Sequence, residues 1–381
     1  MNNNKKWNWE QKDWPNFSYD EQKLKSLEIQ FIYDSGVLLG AYKHINDDER
    51  TSLTIEIMSD EALKTSEIEG EILDRESIQS SIRRNFGLST INRKVSPAEN
   101  GITEMMVDLY NNFNKPLTHK MLFNWHSMLM NGRRDIKDIG RYRTGNAPML
   151  VVSGTIDSPK IHFQAPGSKR LKTEMKNFIE WFNRTALGGS EPLSTLTRAS
   201  IAHLFFVSIH PFEDGNGRIA RALSIKAISQ SINSPMLIAL SQTIQNNKKE
   251  YYSMLQKSNR NNQIDDWNNY FAQTIITAQR YSLMLIDFLI QKAKFYDVHK
   301  NNMNERQLKV VSRIFKEGVN GFKGGLSAEK YIRITSTSRA TATRDLSDLV
   351  SKKILIQTGS LKSTRYYLNL KDARMLLKII R

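Results

Sequence analysis

Between about residues 100 and 295 the apolar residues recur at helical spacing almost without interruption, and this pattern constrains the fold more than any other feature of the sequence. At its centre lies the segment 195–209, which is strongly apolar, with Leu204, Phe205 and Phe206 in succession. A helix with so little polar surface has to be buried. The sequence therefore predicts a mainly α-helical protein built around this segment.

One interruption of the helical pattern lies between Pro148 and Pro166. Two short runs that suit β-strands, 149–153 and 160–164, flank a turn-forming segment that contains Gly154. They predict a β-hairpin inside an otherwise helical region.

The pattern changes at both ends of the chain, which predicts three regions. Residues 1–100 begin with closely spaced tryptophans, expected to be packing anchors of a small domain, and continue as helices. Residues 101–296 form the helical core, and a polar linker at 297–303 follows it. In residues 304–381 three helical segments precede two β-rich runs, which is the order of elements in a small winged helix-turn-helix domain.

Composition narrows the chemistry that the chain can perform. The absence of cysteine excludes disulfides, thiolate catalysis and zinc sites with cysteine ligands. The first residues contain no apolar signal-peptide core, and no apolar run approaches the roughly 18 residues of a membrane helix. We therefore expect a cytoplasmic protein with no membrane partner.

The net charge of +16 is concentrated near the end of the chain, because residues 300–381 contain 18 Lys or Arg and 6 Asp or Glu. Such an excess favours a polyanionic partner, although solubility alone would also explain it. A recognition helix would begin at Ser336 or Ser338. DNA would be contacted by polar and basic residues of this helix and of the wing: Arg339, Thr341, Arg344, Lys362 and Arg365. A winged helix that contacts protein is the alternative.

The segment from His210 to Arg221 combines the groups that phosphoryl or nucleotidyl transfer requires. The buried helix ends at His210 and a second helix starts near Gly217, so the unpaired amides and positive dipole end of that helix form an anion site. Gly215 and Gly217 let the backbone approach a phosphate closely. His210 has a reference pKa of about 6.5 and can accept a proton at neutral pH.

The polar residues of the segment suit a metal-bound triphosphate. Asp214 is a hard oxygen ligand of the kind that Mg²⁺ prefers, and Asn216 carries a donor amide. Arg218 lies in the first turn of the second helix and Arg221 projects from the same face, so that their guanidinium groups can hold phosphate oxygens. A glycine-rich turn between two core helices is the purely structural alternative.

This segment resembles the signature of the Fic family, His-x-Phe-x-Asp/Glu-Gly-Asn-Gly-Arg-x-x-Arg, at every fixed position. The resemblance implies a Fic helical core with the hairpin as its flap. It implies that His210 is the general base for a target hydroxyl, that Asp214 holds Mg²⁺ and that Phe212 anchors the loop. The phosphates of ATP would be bound by the loop amides and by Gly215, Asn216, Gly217, Arg218 and Arg221. The Asp-Gly-Asn-Gly form of the loop is associated with transfer of AMP from ATP.

Further segments extend the resemblance over roughly residues 60–290. The hairpin at 149–165 is similar to the family's flap, which aligns a target segment by strand addition. Its docking residues would be Val151, Val152, Ile161, His162 and Phe163. The sequence Gly140-Arg-Tyr-Arg just before the hairpin is typical of the family. Downstream, Tyr251-Tyr252-x-x-Leu255 followed by Asn259 resembles the adenine pocket, where Tyr252 and Asn259 would contact the base.

Upstream, the segment Thr65-Ser-Glu-Ile-Glu69-Gly70 resembles the family's inhibitory motif, Ser/Thr-x-x-x-Glu-Gly/Asn, on a helix expected around residues 60–72. The resemblance implies that Glu69 pairs with Arg221 and keeps it from the γ-phosphate, so that ATP binds in a pose unsuited to attack. In some relatives the same glutamate positions a water that removes AMP from the target.

Two functional hypotheses follow. The first is an autoinhibited protein adenylyltransferase that uses Mg²⁺ and ATP to modify a Ser, Thr or Tyr hydroxyl of a protein, itself included; reversal of the reaction stays open. The second is a DNA-binding transcriptional regulator whose Fic region senses nucleotide. The identity of the protein target is open, and so is assembly as a homodimer.

Overall fold

The structure is a computed structural model that describes residues 6–89, 94–155, 158–236, 238–318, 321–322 and 324–370. This part of the chain is mainly helical, as the periodicity predicts. In chain order the helices are α1 (Lys25–His44), α2 (Asp47–Ile68), α3 (Arg75–Asn85), α4 (Pro97–Asn112), α5 (His119–Leu129), α6 (Leu171–Arg184), α7 (Thr195–Ile209), α8 (Asn216–Ser231), α9 (Leu240–Asn246), α10 (Lys248–Ser258), α11 (Asp265–His299), α12 (Glu305–Lys316), α13 (Ala328–Thr335) and α14 (Arg339–Ser351).

Two antiparallel pairs of strands interrupt the helices. The first pair is β1 (Leu150–Thr155) with β2 (Ser158–Gln164), which confirms the predicted hairpin. Its register shifts between Val151 and Val152, as in a β-bulge. The turn at 156–157, part of the predicted turn segment, lies outside the described residues. The second pair is β3 (Leu355–Thr358) with β4 (Arg365–Leu368).

Internal contacts divide the chain into two compact units. The first consists of Met1–Gly40 and Arg50–Ser282, and it joins most of the predicted N-terminal region to the predicted core. The second consists of Ala41–Glu49 and Leu283–Arg381. No helix among the described residues combines the length and the apolar character needed to cross a bilayer.

Helices α7 and α8 form the centre of the first unit. Almost every residue of α7 is buried, including polar ones such as Arg198 and His203, which agrees with the strongly apolar sequence of this segment. The neighbouring α5 starts where predicted, because the Thr118 hydroxyl accepts the Met121 amide at 3.1 Å. The loop 210–215 connects α7 to α8, and the packing of these two buried helices fixes its position.

In the second unit, α12, α13, α14, β3 and β4 follow in the order of a winged helix. Side chains from all three helices and from β3 share one apolar core, in which Val310, Tyr331 and Leu346 are completely buried. Of the two predicted starting points for the last helix, Ser338 is the one that caps it. Residues 371–381 of the predicted 304–381 region lie outside the described residues.

Two predicted boundaries differ from the structure. The predicted linker 297–303 is not extended: α11 continues to His299, and a 3₁₀ turn follows at Lys300–Asn302. No Gly or Pro stops the helix there, and the rings of Phe295 and His299 pack one turn apart at 4.9 Å. The predicted inhibitory helix also ends early, at Ile68, so Glu69 lies on the turn that follows, where Gly70 is left-handed with φ 87°.

Candidate active site

The loop between α7 and α8 has two left-handed residues that reverse the chain. His210 ends α7 with φ 50° and ψ 60°, and Gly215 precedes α8 with φ 81°. A left-handed conformation is ordinary for glycine but strained for histidine. Such strain persists only where surrounding contacts enforce it, and it occurs most often at functional sites.

Asn216 holds the loop in shape. Its side-chain oxygen accepts the Phe212 amide at 3.0 Å, and its side-chain nitrogen donates to the Phe212 carbonyl at 2.9 Å. The Phe212 ring is completely buried and stacks on His126 at 4.1 Å, so it anchors the loop as predicted. The Asn216 amide is thus engaged with the loop backbone. The structure gives this side chain a positioning role in the loop, and its predicted contact with phosphate stays a prediction.

His210 is placed to accept a proton. Its Nδ1 lies 3.3 Å from the Val207 carbonyl, which can only accept, so the ring hydrogen belongs on Nδ1 and Nε2 keeps its lone pair. Burial lowers the pKa of His210 to about 4, and the hydrogen bond to Val207 offsets only part of this effect. The imidazole is therefore neutral throughout the physiological range.

Arg143, the last residue of Gly140-Arg-Tyr-Arg, fastens the loop from the outside. Its Nε donates to the His210 carbonyl at 2.9 Å, and its backbone amide donates to the Pro211 carbonyl at 3.0 Å. Its Nη2 donates to the Pro166 carbonyl at 2.5 Å, just beyond β2. One buried side chain therefore connects the end of α7 to the end of the hairpin.

Asp214 presents a partly exposed carboxylate at the entrance to α8. It accepts the Gly215 amide at 2.5 Å, Arg133 Nη1 at 2.8 Å and Arg218 Nη2 at 3.4 Å. Burial alone would raise the pKa of Asp214, but Arg218, the Gly215 amide and Arg133 together lower it below its usual value. Asp214 is consequently an anionic oxygen donor at neutral pH, which fits the preference of Mg²⁺ for hard oxygen ligands.

The two arginines of α8 are buried and already hold acidic partners. Arg218 Nη1 donates to Glu71 at 2.9 Å, and Arg221 Nη2 donates to Glu69 at 2.7 Å. Arg221 is further fixed by the Thr65 hydroxyl at 2.7 Å and the Thr65 carbonyl at 2.9 Å. The predicted contact between Glu69 and Arg221 is therefore present. Arg221 Nη1 is buried without a hydrogen-bond partner.

Glu69 lies against the first turn of α8. A Cβ atom placed on Gly217 would be 2.2 Å from Glu69 Oε1, a distance that no side chain tolerates. Glycine at this position is what allows an anionic oxygen to reach the beginning of the helix. In this structure that oxygen belongs to Glu69.

A cavity of about 720 Å³ opens beside these groups. Its lining brings together His210, Glu69 and Gly217 with Tyr252 and Asn259, the two residues predicted to contact a base. Asn259 is buried in this lining, and its Oδ1 has no hydrogen-bond partner. The phenol of the adjacent Tyr251 is buried and contacts His203 at 2.8 Å. A volume of this size accommodates a nucleotide.

Four of the five residues predicted for the flap also line the cavity, Ile161 being the exception, and their surroundings differ. Val152 and Ile161 are about half exposed, whereas Phe163 is buried against Trp7. His162 lies within hydrogen-bonding distance of Gln256 on α10, at 3.1 Å. Val151 is partly buried in the lining. Phe163 therefore holds the hairpin in place, and the exposed residues are the ones that another chain could reach.

Four contributors to the site were missed by sequence reasoning: Glu71, His126, Arg133 and Arg143. Each acts on a residue more than 60 positions away, and periodicity carries no information about such contacts. The family-like Gly140-Arg-Tyr-Arg sequence was the only available signal, and it pointed to Arg143.

Comparison with known proteins identifies the class of the central domain. Residues 116–227 match the Fic/DOC family, and residues 7–88 match a domain of unknown function, DUF4172. The chain therefore contains a Fic domain. Its fold is also that of a Fic family protein from Desulfovibrio desulfuricans, with a TM-score of 0.51 at 18% identity over 90% of this chain and 95% of that one.

The chain is also similar to curated protein adenylyltransferases. It is 30% identical to protein adenylyltransferase fic-1 of Caenorhabditis elegans over 128 residues, which are 33% of this chain and 23% of that protein. It is 35% identical to protein adenylyltransferase Fic of Drosophila erecta over 97 residues, which are 25% of this chain and 17% of that protein. The matched segment thus spans about a fifth of the length of these relatives.

Proposed function

We propose that this chain is a protein adenylyltransferase that moves AMP from ATP to a Ser, Thr or Tyr hydroxyl of a protein. The observation that carries the proposal is one cavity lined by a neutral His210, by Gly217 at the beginning of α8, and by Tyr252 and Asn259. These groups suit a proton acceptor, a phosphate site and a base site. The similarity to adenylyltransferases supports the same reaction.

In the proposed reaction, His210 Nε2 takes the proton of the target hydroxyl. The hydroxyl oxygen attacks the α-phosphorus of ATP, the bond between the α-phosphorus and the bridging oxygen breaks, and pyrophosphate leaves. The amides at the start of α8 stabilise negative charge on the phosphates, and Arg218 and Arg221 add to this once their acidic partners release them. Asp214 would hold Mg²⁺, which supplies positive charge for the triphosphate.

We further propose that Glu69 inhibits this reaction. Its carboxylate holds Arg221 at 2.7 Å and lies where a phosphate oxygen would approach Gly217. A triphosphate bound beside it would meet like charge and would lack Arg221, so productive ATP binding requires Glu69 to move. Any signal that displaces the end of α2 would then activate the enzyme.

Isotopic labelling tests the reaction. With Mg²⁺ and ATP labelled at the α-phosphate, the Glu69→Gly variant is expected to become covalently labelled and to release pyrophosphate, and ATP labelled at the γ-phosphate should leave the protein unlabelled. Adding His210→Ala should abolish labelling. Mass spectrometry would identify the modified residue from an AMP adduct. Transfer of the γ-label, or labelling that survives His210→Ala, would contradict the proposal.

The exposed face of α14 supports a second function, DNA binding by the second unit. Its exposed residues include Arg339, Thr343 and Arg344. Both acids of this helix have basic partners: the buried Asp345 accepts Arg306 at 2.9 Å, and Asp348 accepts Lys352 at the end of the same helix at 2.6 Å. A basic and small polar face of this kind suits the major groove.

The predicted DNA contacts differ in how exposed they are and in whether they already have hydrogen-bond partners. Thr341 is half-buried, and its hydroxyl lies 3.0 Å from the capping Ser338, so it has less to offer a base. Arg365 is partly buried and donates to the Lys362 carbonyl at 3.1 Å. The exposed side chains of Arg339, Arg344 and Lys362 are consequently the strongest candidates.

Titration with random duplex DNA over a range of salt concentrations tests this second function. We expect measurable affinity at low salt that falls steeply as salt rises, and Arg344→Ala should reduce the slope of log K against log salt by about 1. Arg313→Ala is the matched control, because Arg313 pairs with Glu317 on α12 at 2.7 Å. Absence of binding at low salt would exclude DNA as the partner.

A further inference from the structure

The N-terminal segment Trp7–Ser18, which we call the clasp, contains only a single short 3₁₀ helix, at Asn8–Glu10, yet contacts three separate parts of the cavity wall. Asn8 is completely buried, and its side-chain nitrogen donates to the Ser208 hydroxyl at 2.8 Å. Ser208 is 200 residues further along the chain. A buried polar side chain is normally hydrogen-bonded, and this bond joins the clasp to the end of α7. Its partner stands two residues before His210.

The clasp binds the loop that carries Asn259. The Asn8 amide donates to the Asn259 carbonyl at 2.8 Å, and the Asn262 side chain donates to the Asn8 carbonyl at 3.2 Å. Further along, Ser18 exchanges backbone hydrogen bonds with the same loop, donating to the Asn262 carbonyl at 2.8 Å and accepting the Ile264 amide at 2.9 Å. This loop contributes Asn259 to the lining of the cavity.

The clasp also binds the hairpin. Trp9 Nε1 donates to the Gln164 carbonyl at the end of β2 at 2.7 Å. The Trp7 ring meets Phe163 edge-on at 5.2 Å, and the guanidinium group of Arg260 stacks over the same ring at 3.5 Å. Trp7 thus stands between the hairpin and the neighbour of Asn259.

We infer that the clasp sets the separation of the hairpin and the Asn259 loop, with Trp7 as a positioning residue for the base of the bound nucleotide. The inference rests on the proposed function, since it takes this cavity as the nucleotide site. Trp7 and Asn8 do not line the cavity themselves. They hold Phe163, Asn259 and the end of α7, which do line it. The start of the DUF4172 region would thereby support the Fic domain. The partners of Trp7 described here, Glu10, Phe163 and Arg260, all lie outside the start of α8, which would bind phosphates.

Comparing ATP with inorganic tripolyphosphate separates this role from a general loss of stability. Binding is measured in the Glu69→Gly/His210→Ala background, where nucleotide is not consumed. Trp7→Ala is expected to weaken ATP about fivefold, from the loss of two ring contacts, and to leave tripolyphosphate affinity within about twofold. Trp14→Phe is the matched control: Trp14 belongs to the clasp but donates to Glu174 on α6 at 2.9 Å. It should change neither affinity.

Hydrogen exchange supplies a readout that needs no nucleotide. Peptides covering 160–165 and 259–264 should exchange faster in Trp7→Ala than in Trp14→Phe, and peptides covering 210–221 should not change. Unchanged exchange, or equal losses of ATP and tripolyphosphate affinity, would overturn the inference. A protein that binds ATP as expected but transfers no label when His210 is restored would refute the proposed reaction and leave this inference standing.

Discussion

Replacing Glu69 with glycine is the sharpest test of the proposed inhibition. The change removes the carboxylate that holds Arg221 at 2.7 Å and leaves the two contacts of that arginine with Thr65. A hydrogen bond between charged groups contributes about 1.5–3 kcal/mol, and a carboxylate at a helix N-terminus adds about 0.3–1 kcal/mol. Displacing Glu69 therefore costs about 2–4 kcal/mol.

If this cost limits productive ATP binding, its removal should raise kcat/KM for AMP transfer about 30- to 1,000-fold. The assay follows covalent α-label per protein at several ATP concentrations. Glu67→Gln is the matched control, because Glu67 is an acid two residues away that pairs with Lys64 at 2.6 Å and does not contact Arg221. We expect it to change the rate less than about twofold.

Thermal unfolding provides a second measure of the same change. Without Glu69 the buried Arg221 loses its acidic partner, so the apo Glu69→Gly variant should have the lower Tm, and Mg-ATP should raise its Tm more than that of the unsubstituted chain. Equal transfer rates with and without Glu69, or an equal response of both proteins to ATP, would refute the reasoning.

Three further predictions concern the loop and its surroundings. Because burial lowers the pKa of His210 to about 4, transfer by the activated variant should be constant from pH 6 to 8 and fall only towards pH 4; an acid limb near pH 6.5 would contradict this. Asn216→Ala leaves the backbone N–H and C=O of Phe212 without partners, so it should lower the free energy of unfolding by about 2–4 kcal/mol in denaturant titrations; a loss under 1 kcal/mol would mean that the two Asn216 bonds are dispensable. Burial also lowers the pKa of His126 to about 4 and of His203 to about 3, so the unfolded chain binds more protons below pH 6.5 and stability should fall from there towards pH 4; unfolding midpoints that stay level would refute this.

Much of the fold follows from local sequence pattern. The strongly apolar segment 195–209 is the central helix, and the glycines at 215 and 217 mark where α8 begins. Helix caps, the hairpin and the order of elements in the second unit were likewise predictable, because each depends on residues a few positions apart.

The details of the site depend on contacts that no local pattern encodes. The bonds between the Asn216 side chain and Phe212 are one example, because the sequence does not reveal that the buried loop backbone needs these hydrogen-bond partners. Arg143 reaches the loop from nearly 70 residues away. The continuation of α11 through a polar stretch was missed for the opposite reason: polar residues do not end a helix unless something replaces the helical hydrogen bonds.

The left-handed backbone of His210 implies that activity and stability make opposite demands on this position. An imidazole at this position needs a conformation that costs any residue with a Cβ about 1 kcal/mol or more, and His210→Ala keeps that cost. His210→Gly relieves this cost, so the glycine variant should have a larger free energy of unfolding than His210→Ala. Under the proposed function, the chain accepts a weaker fold at the residue that takes the proton, because glycine could not do so.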